Sequence, residues 1–517
     1  MQKFLLLIAV AISTPAAAAL TPAATVARNV NTFFGQSDPS FFNGGLLVAR
    51  AAKPVAERID GFAHFATKAP LRRDSVFQLA SAAKPFTSTA VLQLRDRGLI
   101  KLDDPVTRHL AGFPYPAITI RHLMTHTSGL PDLELFEPLI ASRPDDVVTG
   151  GDLVPALVAW QKPMRFRAGD QFRYSNINYQ LLGELVAKVS RQPFGAYIRD
   201  HIFRPASMRS SFVLGTLPIA RTGAQVTNHV LAVMFRTQPE DVRRLDYSDK
   251  VMMRPYRYEG FNLGSTVGDQ NLFSTLADLE RFDRALRSGK ILSKRSQDEA
   301  YAPVRLNDGS NYAEPGIYDL YAARCSYGMG WEVCRHPKRG RLVGHAGYNR
   351  GIAVMLYREL DLGLMAAMFD NADTGDFPKK FASVINIAHG EAPGNVSRQR
   401  STARDYGLAL VTEGPATALL RFNRMRAEPD RWLTTKGGMN RLGYDLLRNG
   451  HPTLALEPFR INLLLHPNDA NLYDSYGEAL ADNGRRDEAI LAYRRSLELK
   501  PDNDKGRTAL KALETGN

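Results

Sequence analysis

The spacing of apolar positions changes several times along this chain, and each change predicts a different element. A helical spacing runs from about Pro22 to Phe34, after which 45–49 (GLLVA) and 74–79 (DSVFQL) read as short strands bounded by turn residues. From Ser81 to about Arg97 the period lengthens again. Phe86, Ala90, Val91 and Leu94 share one helical face there, and Gly98 follows the end. Helical spacing dominates the middle, with helices predicted over 120–126 and 179–190, the latter turning Leu181, Leu182, Leu185 and Val186 inward. Strands return over 327–335, 341–345, 351–358 and 362–370, separated by turns such as Pro337-Lys338-Arg339-Gly340. Strands at both ends with helices between predict an α+β fold: one antiparallel sheet flanked by helices, with a mostly helical insertion.

Near 390–394 this pattern breaks, and a purely helical one with an internal period follows. Leu442-Gly443, Leu446, Asn449-Gly450, Ala455, Phe459 and Pro467 recur 34 residues later as Tyr476-Gly477, Leu480, Asn483-Gly484, Ala489, Tyr493 and Pro501. Small residues fall where paired helices would touch, large apolar ones fill the gap, and a proline ends each unit, which is the design of a tetratricopeptide repeat. About three repeats are needed for stability, so 405–425, with Ala418 and Phe422, is the expected degenerate partner. The predicted organisation is a leader over 1–19, an α+β domain over 20–395 and a C-terminal all-α repeat segment over 396–517.

The leader follows from Met1-Gln2-Lys3, an apolar run from Phe4 to Ile12 and a small-residue stretch ending Ala17-Ala18-Ala19. A basic start, a short apolar core and an Ala-x-Ala site make a secretory signal, and the run is too short to span a bilayer. No later stretch is apolar enough for a transmembrane anchor, so the expected location is periplasmic or secreted. The composition, 44% apolar and 23% charged, is that of a globular protein. Its net charge of +13 sits almost wholly upstream, since 17 basic and 16 acidic residues follow residue 400. Such a surface attracts anionic polymer or lipid headgroups, and serves equally as a solvated face without a partner. Export and the lack of a basic-aromatic motif argue against nucleic acid. Cys325 and Cys334 are the only cysteines; a local bridge and two buried thiols both suit their spacing, and they make no metal site without paired histidines.

Three short motifs carry candidate chemistry. Ser81-Ala82-Ala83-Lys84 opens a helix directly after a strand, so Lys84, one turn on, reaches the Ser81 hydroxyl. A serine needs a partner to take its proton, and Lys84 can do so only if held neutral, which burial and a nearby cation would favour. Tyr174-Ser175-Asn176 offers a phenol beside that lysine and an amide to orient it. His345-Ala346-Gly347 lies at a predicted strand edge, where Gly347 lets a substrate approach the backbone and the Tyr348 and Ser81 N–H groups could form an oxyanion hole. Each motif alone is also what an ordinary helix cap, turn tyrosine or hairpin glycine looks like.

Together, in this order, they resemble the active-site set of penicillin-binding proteins and serine β-lactamases. The flanking stretches FQLA (77–80), ITIRHLMTHTSGL (118–130), YQLLG (179–183) and YGMGW (327–331) are similar to the class C branch, which also holds D,D-peptidases, D-aminopeptidases and esterases. The resemblance covers roughly residues 25–390 and implies a β-lactamase/transpeptidase-like fold with Ser81 acylated, Lys84 and Tyr174 moving its proton, and Asn176, His345, Gly347 and Tyr348 binding substrate. His126 and Ser128 are left as structural. The family's glycine-rich stretch appears as 268–275 (GDQNLFST), more polar than usual. No cofactor or metal is implied. The expected activity is an acyl-enzyme hydrolysis of esters, amides or D-amino-acid peptides. β-Lactamase activity is the alternative, and an idle domain presenting repeats to a protein partner is the rival. Relatives that bind carboxylates place Lys-Thr-Gly or Lys-Ser-Gly on this strand. Histidine, with a pKa of about 6.5, and Ala346 offer an anionic substrate less.

Overall fold

The computed structural model describes residues 21–36, 38–160, 162–214, 226, 228–230, 234–236, 240–241, 262–263, 265–315, 324–372 and 374–515; the leader, 1–19, lies outside them. Its centre is an eight-stranded antiparallel sheet in the order Glu314–Pro315, Arg324–Tyr327, Glu332–His336, Gly340–Asn349, Ile352–Glu359, Leu364–Asp370, Gly44–Arg50 and Lys53–Asp60. Leu364–Asp370 pairs with Gly44–Arg50 from Leu364↔Arg50 to Asp370↔Gly44, so the two distant strand regions close one sheet.

Two apolar layers explain why these strands lack a polar alternation. In Leu364–Asp370, Met365, Ala367 and Phe369 enter one core while Leu364, Ala366 and Met368 enter the other. A strand covered on both faces is apolar at every position. The helices Ala23–Phe34 and Phe377–Ala388 cover one face. The other packs against a helical layer that includes Lys84–Asp96, Asn176–Ser190 and Leu276–Arg287, where Phe86 stacks on Phe282 with ring centroids 3.9 Å apart. This is the expected α+β class.

Some local expectations shift. Within 74–79 only Phe77–Gln78 is strand, and it belongs to a small sheet with Leu272–Ser274 and Phe212–Val213. Val76 and Leu79 are apolar because they are buried beside it. The predicted strand 327–335 is two strands. Gly330, with φ +77°, sits in the turn between them, and a Cβ on Gly328 would lie 2.1 Å from the Ala300 carbonyl oxygen. Cys325 and Cys334 face each other across this pair and form a disulfide, which closes the choice left by their spacing.

Among the described residues seven helices follow residue 400: Thr402–Glu413, Pro415–Arg426, Lys436–Arg448, Pro452–Leu465, Ala470–Asp482, Arg486–Leu499 and Asp504–Thr515. Consecutive helices pack through the small-large contacts of the 34-residue period. A Cβ on Gly443 would press on Phe459, and one on Gly477 on Tyr493. Met234 joins this core from the preceding region, its backbone N–H donating to the Asp445 carboxylate at 2.8 Å. Among the described residues no helix is long and apolar enough to cross a membrane.

Candidate active site

Strain and close packing aim Ser81. Ala80 has φ +46°, a left-handed conformation that costs a non-glycine residue about 1–2 kcal/mol, and the chain then runs through a 3-10 turn, Ala80–Ala83, into the helix Lys84–Asp96. Ser81 is thus in a tight turn before the helix, where a regular first helical turn was expected, and Pro85 fits because the first turn needs no partner for its N–H. The strand Gly340–Asn349 lies against this turn. A Cβ on Gly347 would meet the Leu79 carbonyl oxygen at 2.2 Å, Ala82 N at 2.9 Å and Ser81 N at 3.1 Å, so only glycine lets the strand come so near Ser81.

Lys84 is completely buried. Its Nζ lies 3.0 Å from Ser81 Oγ, 2.9 Å from Asn176 Oδ1 and 3.3 Å from the Asp269 carbonyl oxygen. Both protonation states are satisfied by this arrangement. The ammonium donates to all three oxygens; the neutral amine donates to Asn176 and Asp269 and accepts the Ser81 proton. Burial lowers Lys84 from its usual 10.5 to about 8, against the opposing pull of Asp269 and Asp132. Of the two influences sequence reasoning named, burial is present and acts as expected; the described charged neighbours are two carboxylates rather than a cation, and desolvation outweighs them.

Tyr174 shares a hydrogen bond with the Ser81 side chain, and its ring centroid is 4.8 Å from Lys84 Nζ. Burial first, with Asp132, Asp269 and Glu332 adding to it, raises its hydroxyl well above 10. At neutral pH Tyr174 is therefore a proton donor, and Lys84 is the group that deprotonates more readily. Asn176 is held by Asp132, whose carboxylate accepts from the Asn176 backbone N–H at 2.7 Å and from Nδ2 at 3.4 Å, leaving Oδ1 to face the lysine.

His345 is 2% exposed, and both ring nitrogens are engaged inside the protein. Nδ1–H donates to the Ala346 carbonyl at 2.6 Å, so Nε2 accepts from the Tyr327 hydroxyl at 3.0 Å. Burial and Lys84 depress its pKa to about 3, and the ring is neutral. Tyr348 is 45% exposed at the rim.

Lys84 thus meets Ser81, Asn176 and the Tyr174 ring, and Tyr174 meets Ser81, with Gly347 against the turn that carries Ser81 and with His345 and Tyr348 on the adjoining strand. Three neighbours escaped sequence reasoning, while His126 was left as structural. Asp132 and Asp269 bear on Lys84, and Tyr327 bonds His345. His126, with φ +56°, lies under Tyr174 with ring centroids 4.3 Å apart. Its Nδ1 accepts from Ser175 N–H and Asn178, so the proton is on Nε2, and burial holds its pKa well below 6.5. Ser128 donates to Asn178 Oδ1 at 2.6 Å and supports the same network. The HTSGLPD stretch and the polar 268–275 segment were the available signals. Among the described residues no group of three or more His, Cys, Asp or Glu converges to hold a metal.

The beta-lactamase family model matches residues 37–389. Over 325 residues the chain is 32% identical to penicillin-binding protein 4* of Bacillus subtilis, covering 62% of this chain and 66% of that protein. It is 33% identical over 241 residues to esterase EstB of Burkholderia gladioli, covering 43% and 58%. The D-amino acid amidase of Ochrobactrum anthropi SV3, solved in complex with L-phenylalanine amide, shares the fold with a TM-score of 0.54 at 22% identity, over 71% of this chain and 96% of that one. The chain spans about two thirds or less of the length of these two curated relatives.

Proposed function

Because this chain belongs to the beta-lactamase family, we propose that it is a serine hydrolase that works through an acyl-enzyme on Ser81 and acts on esters, amides or D-amino-acid peptides. The observation that carries this reading is the buried Lys84 Nζ 3.0 Å from Ser81 Oγ, with its pKa brought down to about 8. Neutral Lys84 takes the hydroxyl proton as Oγ attacks the substrate carbonyl. The Ser81 and Tyr348 N–H groups stabilise the oxyanion. Tyr174 gives its proton to the departing alcohol or amine and recovers one from the Lys84 ammonium. Water then attacks the acyl-enzyme by the same route in reverse, releasing the acid and restoring Ser81.

The substrate class rests on His345. Its neutral ring, with both nitrogens engaged, places no cation on the strand to hold a carboxylate. Esters, amides and D-amino-acid peptides whose scissile bond is not flanked by a terminal carboxylate therefore suit the site better than β-lactams, which carry one. The leader 1–19 and the Cys325–Cys334 bridge support export to the periplasm or beyond, where disulfides persist. The 34-residue period supports a tetratricopeptide-like unit over 396–517 that binds a peptide or protein partner, beside a hydrolase domain over 20–395.

The test is fluorophosphonate labelling of the wild type and of Ser81→Ala, followed by kcat/KM for a short-chain nitrophenyl ester, a D-alanyl peptide and nitrocefin. Labelling and ester turnover should vanish in the variant, and nitrocefin should be the poorest of the three. Wild-type labelling of Ser81→Ala would reject the nucleophile, and nitrocefin turnover far above the others would make the protein a β-lactamase.

A further inference from the structure

We propose that Asp269 is a positioning residue of the proton-transfer pair, a buried carboxylate that sets the pH at which Lys84 becomes a base. This rests on the assignment of Ser81 and Lys84 above. Asp269 belongs to the polar segment 268–275, and two helices clamp it in place. Gly268, at φ +98°, brings the chain so close that a Cβ there would lie 2.2 Å from the Tyr179 carbonyl oxygen. Thr87 Oγ1, from the nucleophile helix, donates to the Gly268 carbonyl at 2.6 Å, and one turn earlier Lys84 Nζ meets the Asp269 carbonyl. From the helix Asn176–Ser190, Gln180 Nε2 donates to Asp269 Oδ2 at 3.2 Å. The side chain is 3% exposed, and its other oxygen, Oδ1, has no hydrogen-bond partner among the described residues.

A carboxylate with one oxygen unmatched is a poor structural filler, because an apolar or amide side chain would meet the same packing without a buried charge. What it does supply is negative potential at Lys84. Among the described residues the charged and titratable groups around the two are few, and Tyr179, its ring centroid 5.7 Å from Lys84 Nζ, is held protonated by burial. Lys84 comes from the nucleophile helix and Asp132 from the loop that caps Asn176. Tyr174 precedes that residue, His126 lies beneath it, and His345 sits on the neighbouring strand. The histidines are neutral and Tyr174 is protonated, so Asp132 and Asp269 are the anions that oppose desolvation at Lys84. Asp132 is already bound by Asn176, whereas Asp269 has an open oxygen and is itself pushed up to about 6 by burial. Above that pH its charge favours the ammonium and moves the onset of base catalysis toward alkaline pH.

The test compares wild type with Asp269→Asn and Asp269→Gly in the full chain, following the rate of Ser81 labelling by a fluorophosphonate against pH. That readout needs no known substrate. In both variants the midpoint of the acid limb should move down by about one pH unit. A purely structural role would lower the rate at every pH and leave the midpoint in place, and that result overturns the inference. Should neither variant fold, the Lys84 ε-carbon resonance of the wild type, identified by its loss in Lys84→Met, decides. It should show a second, smaller inflection near pH 6 as Asp269 titrates; a single inflection overturns the inference. Ser81→Ala separates the two readings. Persistent labelling there rejects the nucleophile whatever Asp269 does, while lost labelling with an unmoved midpoint rejects only the role of Asp269.

Discussion

Gly347 is the residue whose smallest change should have the largest local effect. An added methyl would sit 2.2 Å from the Leu79 carbonyl oxygen and beside Ser81 N, so either the strand or the nucleophile turn must retreat. Gly347→Ala should cost about 1–3 kcal/mol in urea unfolding, as overpacking does. It should also lower kcat/KM by about a hundredfold, the scale of a small misplacement of reacting groups. Near-normal turnover would mean that the strand does not help build the site. The pH profile is the second prediction at this scale. Lys84 acts as a base only when neutral, so with its pKa at about 8, kcat/KM should fall as pH drops below that value. The slope should be about tenfold per unit, and no histidine limb should appear near pH 6.5, because His345 and His126 stay neutral there. A limb centred near 6.5 would assign the base to one of them.

Between elements, the sheet is tied to its helical cover by one buried charge cluster. Arg358, 1% exposed on the strand Ile352–Glu359, donates to Asp283 of the helix Leu276–Arg287 at 2.6 Å. Asp283 also receives Arg287 at 2.8 Å, and Arg358 donates to the Tyr301 hydroxyl. Removing one partner strands the other charge, so Asp283→Asn should destabilise the protein by about 3–5 kcal/mol in chemical denaturation. A loss below about 1 kcal/mol would show that solvent reaches the pair. This is also the scale at which periodicity misled. The stretch 327–335 carries an apolar residue at every second position from Tyr327 to Val333 and so reads as a single strand. Two glycines nevertheless break it, one at positive φ and one under the Ala300 carbonyl. Such a turn is written in backbone sterics, which an alternating pattern does not display.

For the whole molecule, the relation between the hydrolase region and the C-terminal helices is the open mechanical question. The family match ends at residue 389, and the nucleophile, lysine, tyrosine and strand motifs all lie before it. Met234 and Phe235 nevertheless pack with the helical core, and the Asp445 carboxylate accepts the Met234 N–H. Deleting 396–517 should leave a hydrolase that still turns over the ester but melts at a lower temperature, since it exposes two apolar side chains and loses an anchor. Loss of folding along with activity would make the two regions one cooperative unit. The sequence alone determined whatever is local. The Ser81–Lys84 contact follows from a single turn of chain, the class of fold from its runs of apolar spacing, and the contact of Gly443 with Phe459 and of Gly477 with Tyr493 from a repeated period. Tertiary structure decided what depends on distant encounters. Asn176 and Asp269 reach Lys84 from 92 and 185 residues away, so no spacing could announce that two carboxylates bear on the lysine. Nor could it announce that His345 is neutral, because a histidine's charge is set by the solvent and neighbours it loses on folding.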